Sequence, residues 1–248
     1  MRQAAGLSLD ADEVARFDAL ASRWWDLDGP MKPLHRFNPA RVGIFRDAIA
    51  ARFGRDAHAM RPLDGLTLLD VGCGAGVLAE PLARLGATVS GVDPAPELIA
   101  VAGRHAEDQA LSIDYRAQTA EALLEAGETY DVVVASEVVE HVNDVPGFVR
   151  TLSGLVKPGG LLLLSTINRT LAAHALVIVG AEYVLRWLPK GTHSYDKFVR
   201  PEELKAACER AGLEPTDLRG IKFDPLRNAW RESGDTAVNY TLAAGKAG

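Results

Sequence analysis

From Leu66 onward, short apolar runs alternate with stretches whose apolar residues recur at helical spacing. "LTLLDVG" reads as a buried strand, and "GVLAEPLARLG" as a helix closed by Gly86. "ATVSGVD" and "SIDYRAQ" are further strands, with "PELIAVAGRHAEDQ" as the helix between them. "YDVVVAS" is a fourth strand, "VPGFVRTLSGLVKPGG" a helix and turn, and "LLLLSTI" a fifth strand. This rhythm predicts an α/β fold with a parallel sheet covered by helices on both faces. Such sheets bind ligands beyond the C-terminal strand ends, where the strand order reverses. Two helices are expected before the sheet. One starts after Asp10, with Glu13 three residues on and Val14, Phe17, Leu20 and Trp24 at helical spacing. The other covers "PARVGIFRDAIAARFG" and closes at Gly54. Between them, "SRWWDLDGPMKPLHRFNP" fits neither a helix nor a strand pattern.

Composition changes this picture little. With 48% apolar and 24% charged residues, the 248-residue chain is expected to fold around one substantial core. Its formal charge of −6 argues against a nucleic-acid partner. Two cysteines, Cys73 and Cys208, show no pairing pattern and suit a reduced, intracellular compartment. The start turns acidic where a signal peptide would be apolar. No apolar run reaches the ~18 residues of a spanning helix.

Chemistry enters at the first strand-to-helix turn, Asp70-Val71-Gly72-Cys73-Gly74-Ala75-Gly76. Glycines let the backbone approach a ligand closely. The next strand ends at Asp93, where a carboxylate can accept from ribose hydroxyls. A dinucleotide site needs G-x-G-x-x-G or a final alanine, but Val77 occupies that last position. Asp70 would also repel a pyrophosphate, while it suits an ammonium or sulfonium. S-adenosylmethionine carries both cations and no phosphate. The competing readings are a nicotinamide site and a turn that only packs helix on strand.

"LLDVGCGAG" with Asp93 and "LVKPGGLLLLST" resembles class I S-adenosylmethionine-dependent methyltransferases. That resemblance implies a Rossmann-like, seven-stranded, mostly parallel sheet. Its last two strands would form an antiparallel hairpin, drawn from "LRGIKFDPLRNAWR" and "AVNYTLAAGK". A narrower resemblance covers nearly the whole chain. "ASRWWDLDGPMKPLHRFNPARVG", "ASEVVEHV", "VGAEYVLRWLPKGTHSYDKFVRPEEL" and the late "VNY" are similar to the ubiquinone biosynthesis O-methyltransferases. Family membership implies O-methylation of polyprenylated catechols and phenols at two steps of the quinone pathway, with S-adenosylmethionine as cofactor. It implies one domain over 1–248. A helical lid covers 1–60, a cofactor-binding core 66–167, an apolar insertion 168–200, and a C-terminal helix and hairpin 201–248. Arg41, Asp70, Gly72, Gly74, Gly76, Asp93 and Ser136 are the implied cofactor contacts, with Arg41 at the cofactor carboxylate. The third strand departs from the pattern: "AQTAEAL" places Gln118 and Thr119 where many relatives put an acid. Trp24 and Trp25 are either lid surface for a flat substrate ring or ordinary core anchors.

A phenol becomes a good nucleophile only when deprotonated. Candidates at the end of the fourth strand are Ser136, Glu137, Glu140 and His141. If a helix starts there, Glu137, Glu140 and His141 share one face. They then hold a divalent cation such as magnesium, as the E-x-x-E-H resemblance implies, or His141 and Glu137 act without metal. After the fifth strand, Leu171, Leu176, Val179, Tyr183 and Trp187 form a candidate apolar face, flanked by Arg169, Arg186 and Lys190. This segment, 168–198, is either a contact with an anionic lipid surface or a cap over the site. His193 and Tyr195 would border the substrate mouth. The expected location is cytoplasmic, at the inner face of the membrane, with other quinone-pathway enzymes as possible partners.

Overall fold

A computed structural model of the chain describes residues 11–175 and 195–248. Five strands form the parallel part of the sheet: β1 (Thr67–Val71), β2 (Thr88–Val92), β3 (Asp114–Arg116), β4 (Tyr130–Ser136) and β5 (Val156–Ile167). Three antiparallel strands continue it: β6 (Leu213–Asp224), β7 (Ala229–Ser233) and β8 (Asn239–Lys246). The order is β3-β2-β1-β4-β5-β8-β6-β7. The strand order therefore reverses between β1 and β4, and the crevice beyond their C-terminal ends is the expected ligand position.

The sheet has eight strands, one more than expected. "LRGIKFDPLRNAWR" does not supply a single strand; it folds back on itself as the β6–β7 hairpin, with Phe223 opposite Trp230. The helices are α1 (Ala11–Asp18), α2 (Lys32–Arg52), α3 (Ala79–Arg84), α4 (Pro96–Asp108), α5 (Ala120–Glu125), α6 (Val145–Leu155), the short turn α7 (Leu171–Ala173) and α8 (Pro201–Arg210). Helix α5 was not expected. Thr119 starts it, its hydroxyl accepting from the Ala122 N–H, so the residue in the place of the family acid is spent on a cap.

Helix α2 begins at Lys32, seven residues before the expected Pro39. Pro33 stands in the first turn, where a missing N–H costs nothing. Pro39 removes one interior donor, yet the helix continues through it.

Strand parity divides the core. On β5, Leu162 and Leu164 pack with α6 and α8 residues such as Phe148 and Leu204. Leu161 and Leu163 face the other way, toward Phe45 and Ile49 of α2 and Leu82 of α3. A third cluster joins Trp24 and Met31 to Ala75, Val77 and Leu98. Helix α1 is fastened there through Asp18, whose carboxylate accepts from the Glu97 and Leu98 N–H groups at the start of α4. Cys73 and Cys208 are free and buried. Among the described residues, no helix is long and apolar enough to cross a membrane. Asp10, Leu176, Val179, Tyr183, Arg186, Trp187, Lys190 and His193 lie outside the described residues.

Candidate active site

The glycine turn runs from the end of β1 into α3. Gly72, Gly74 and Gly76 all have positive φ, which a side chain resists. Space is short as well. A Cβ on Gly72 would lie 2.5 Å from Val138 and one on Gly74 2.8 Å from Trp24, while on Gly76 it would meet the Tyr115 hydroxyl. Protein packing alone therefore demands these glycines. The lid lies directly on the turn: Trp24 against Gly74, the Trp25 indole N–H donating to the Ala75 carbonyl at 2.9 Å, and Asn38 Nδ2 donating to the Val77 carbonyl at 2.6 Å.

The opening aromatic segment thus has a structural answer. Trp24 is buried at 7% exposure, so it is a core anchor and a lid residue at once. Trp25 stacks on His105 of α4 at 3.6 Å and 6°, and His105 Nδ1 hydrogen-bonds the buried Glu80 carboxylate at 2.5 Å. His35 Nε2 hydrogen-bonds the Trp24 carbonyl at 2.8 Å.

Beside the turn, α2 inserts Arg41. It is 2% exposed, donates from Nη1 to Ser136 Oγ and from Nη2 to Asn38 Oδ1, both at 2.7 Å. Burial lowers its pKa, opposed by the charges of Glu137, Asp70 and Glu140. A guanidinium remains cationic under such pressure. Asp70 is buried, and desolvation pushes its carboxyl up to about 7 despite Arg41; the Asp93 charge adds to the rise. Asp93 accepts from the Gly74 N–H at 3.0 Å and the Ala95 N–H at 2.9 Å. Burial raises its pKa and these two donors oppose the rise.

The structure brings Asp70, Ser136, Glu137, Glu140 and Arg41 into one electrostatic neighbourhood, but it does not build the expected helical face. Residues Val139–His141 form a single 3-10 turn, and α6 starts only at Val145. Glu137 has φ +58, an uncommon conformation for a residue with a side chain. It is pinned by Ser165, whose carbonyl accepts the Glu137 N–H at 2.8 Å and whose hydroxyl donates to Oε1 at 2.5 Å. Glu140 takes its hydrogen bond from Thr166 Oγ1 at 2.8 Å. Ser165 and Thr166 are neighbours on β5, so they face opposite sides of the sheet. Each carboxylate is thus held by a different hydroxyl of β5, while their charges still act on each other. Among the described residues, no three His, Cys, Asp or Glu side chains gather as a metal site requires. The donor set does not fit the implied cation. Burial pushes Glu140 up to about 7, helped by the Glu137 charge and opposed by His141. His141 packs edge-on against Phe17 of α1 at 5.4 Å.

Asn38, Ser165 and Thr166 were not singled out from the sequence. The signal for the last two was present, because "ST" interrupts the otherwise apolar "LLLLSTI". Beyond β5, Arg169 forms an ion pair with Glu203, so it is not an unpaired basic flank. Leu171 is 82% exposed. Tyr195 packs edge-on with His174 and Phe198.

Buried polar atoms with no hydrogen-bond partner among the described residues include Asp70 Oδ2, Arg41 Nε and Trp24 Nε1, and, close by, Glu140 Oε1 and the Tyr115 hydroxyl. Buried polar atoms are nearly always paired. Asp70 Oδ2 as acceptor, with Arg41 Nε and Trp24 Nε1 as donors, suits a zwitterion such as the amino-acid end of S-adenosylmethionine.

Comparison with known proteins agrees with this geometry. Residues 37–218 match the family model described as a methyltransferase domain. The magnesium protoporphyrin IX methyltransferase of Synechocystis, solved with bound SAH, superposes with a TM-score of 0.63 at 20% identity, over 95% of this chain and 100% of that one. A possible histamine N-methyltransferase from Thermotoga maritima gives 0.59 at 17%, covering 95% of this chain and 98% of that one. At such identities the likeness carries the fold, and fold and glycine turn together define a class I methyltransferase. Two relatives, from Methylobacterium nodulans and Azorhizobium caulinodans, are both called ubiquinone biosynthesis O-methyltransferase. They are 56% identical over 244 residues and 55% over 242, covering 98% of this chain and 98% and 96% of their own lengths. The chain belongs to the ubiquinone biosynthesis O-methyltransferase family.

Proposed function

We propose that this protein transfers the methyl group of S-adenosylmethionine to a hydroxyl of polyprenylated phenol and catechol intermediates of ubiquinone biosynthesis, serving both O-methylation steps. The observation that carries the reading is the convergence of Asp70, Arg41 and Ser136 beside the glycine turn, under a lid made by the family's own N-terminal segment. When bound, the cofactor supplies an electrophilic methyl group on sulfur. Asp70 would face its ammonium and Arg41 its carboxylate, while Asp93 would accept from its ribose hydroxyls. Gly72, Gly74 and Gly76 let the turn lie close to it.

On the acceptor side, His141 takes the phenol proton. Its neighbour Glu140 favours the imidazolium that results, by opposite charge. Glu137, fixed by Ser165, is the second polar group toward the acceptor and sets the orientation of the hydroxyl. The lid excludes water from the transfer. No step passes through a metal.

The acceptor's tail is apolar, so the same reading places the protein at the inner membrane surface from the cytoplasmic side. The segment 168–198 is the proposed lipid contact, and other enzymes of the pathway are candidate neighbours. The deciding experiment incubates the protein with labelled S-adenosylmethionine and, separately, a prenylated catechol and a prenylated demethylubiquinol. Labelled methyl ether in both products is expected. Labelling of only one limits the enzyme to that step. Labelling of neither, with a soluble catechol accepted, overturns the substrate class.

A further inference from the structure

We infer that Trp24 is a cofactor-binding residue: its indole N–H donates to the α-carboxylate of the bound cofactor, beside Arg41. This rests on the proposed cofactor reading. The two adjacent tryptophans are used differently. Trp25 donates to the Ala75 carbonyl, so its N–H is satisfied by the turn itself. Trp24 lies one residue away on the same turn, in contact with Gly74, and its N–H has no acceptor among the described residues although the side chain is only 7% exposed. An indole N–H can only donate. Leaving it buried and unpaired carries a desolvation penalty that native interiors rarely tolerate.

Nor is Trp24 placed there loosely. Its backbone carbonyl is held by His35, its ring meets Phe17 edge-on at 6.2 Å, and Met31, Ala75 and Leu98 surround it. Another unpaired buried donor at the site, Arg41 Nε, also comes from the N-terminal segment. These two donors from the lid stand opposite Asp70 Oδ2, an unpaired acceptor at β1. That polarity matches a cofactor whose carboxylate turns to the lid and whose ammonium turns to β1. A ribose hydroxyl asks for the opposite partner, an acceptor, which Asp93 supplies beside Gly74.

The test compares S-adenosylhomocysteine with methylthioadenosine, the same nucleoside thioether without the amino-acid end. Calorimetric titrations are run on the wild type and Trp24→Phe, which keeps a ring but loses the donor. We expect about a tenfold loss of S-adenosylhomocysteine affinity, the scale for a hydrogen bond to a charged group. Methylthioadenosine affinity should change by less than about twofold, since this ligand has no carboxylate to accept from the indole N–H. The smaller ring gives up some packing in the unliganded protein, so circular dichroism first confirms that Trp24→Phe is folded at the titration temperature. Equal losses for both ligands would show that the indole only packs. No loss for either would exclude the contact altogether. A wild type that binds neither compound would bring down the cofactor reading, and this inference with it.

Discussion

Asp93 already accepts two backbone N–H groups, but a carboxylate has about four lone-pair sites, so ribose hydroxyls still find acceptors. Asp93→Ala is expected to weaken S-adenosylhomocysteine binding by about 1.5–3 kcal/mol. Calorimetry measures it, with circular dichroism as a check that the start of α4 survives; unchanged affinity would remove Asp93 from the site. Asp70 makes a second prediction, through pH. Its carboxyl titrates near 3.8 when unfolded and at about 7 when folded and unliganded. Because the folded value is raised, its contribution to stability is full below the unfolded value and fades as pH rises toward 7. A cofactor ammonium favours the charged form and reverses part of that loss. The rise in melting temperature on adding S-adenosylhomocysteine should therefore be larger at pH 7.5 than at pH 5.5, to the extent of this group. In Asp70→Asn the difference between the two pH values should shrink. A wild-type shift independent of pH would mean that Asp70 meets no cation.

At the level of elements, the lid is fastened by discrete contacts, each of which can be cut. Trp25→Ala removes the stack on His105 and the hydrogen bond to Ala75 together. About 1–3 kcal/mol of stability should be lost. Amide exchange should quicken across 21–31 while β1 and β4 stay protected; uniform protection would show that the lid is held elsewhere. How much of this was legible in the sequence follows from where the information resides. Tyr130–Ser136 was read to the residue because its apolar run is bounded by its own neighbours. The start of α2 was hidden by Pro33 and Pro39, which discourage a helix in isolation, while packing of Phe37, Ile44 and Phe45 against the sheet outweighs that. The anchoring of Glu137 and Glu140 could not be read at all. It depends on which hydroxyl of β5 each carboxylate meets, and so on a strand some thirty residues away. The glycine turn and Asp93 were legible because backbone geometry constrains residue type there directly.

For the molecule as a whole, the lipid proposal is the property to measure. Leu171, 82% exposed at the start of the 168–198 segment, is the large apolar side chain that its described residues turn to solvent. The intact protein is expected to float with anionic vesicles and to be released by salt, since attraction to charged lipid extends only ~8 Å at physiological ionic strength. Protein that stays in the soluble fraction on anionic vesicles at low salt would leave 168–198 as a cap alone. The strand order carries a separate consequence, for how the chain is assembled. β8 follows β6 and β7 in the chain, yet lies between β5 and β6 and pairs with both. During synthesis the five parallel strands and the β6–β7 hairpin can each form first, and α2 packs on the hairpin through Phe37 and Trp230, but no strand pairing joins them until residues 239–246 have left the ribosome. Until then β5 and β6 each present an open edge to other nascent chains. The gap is closed by one late insertion, which completes two ladders at once.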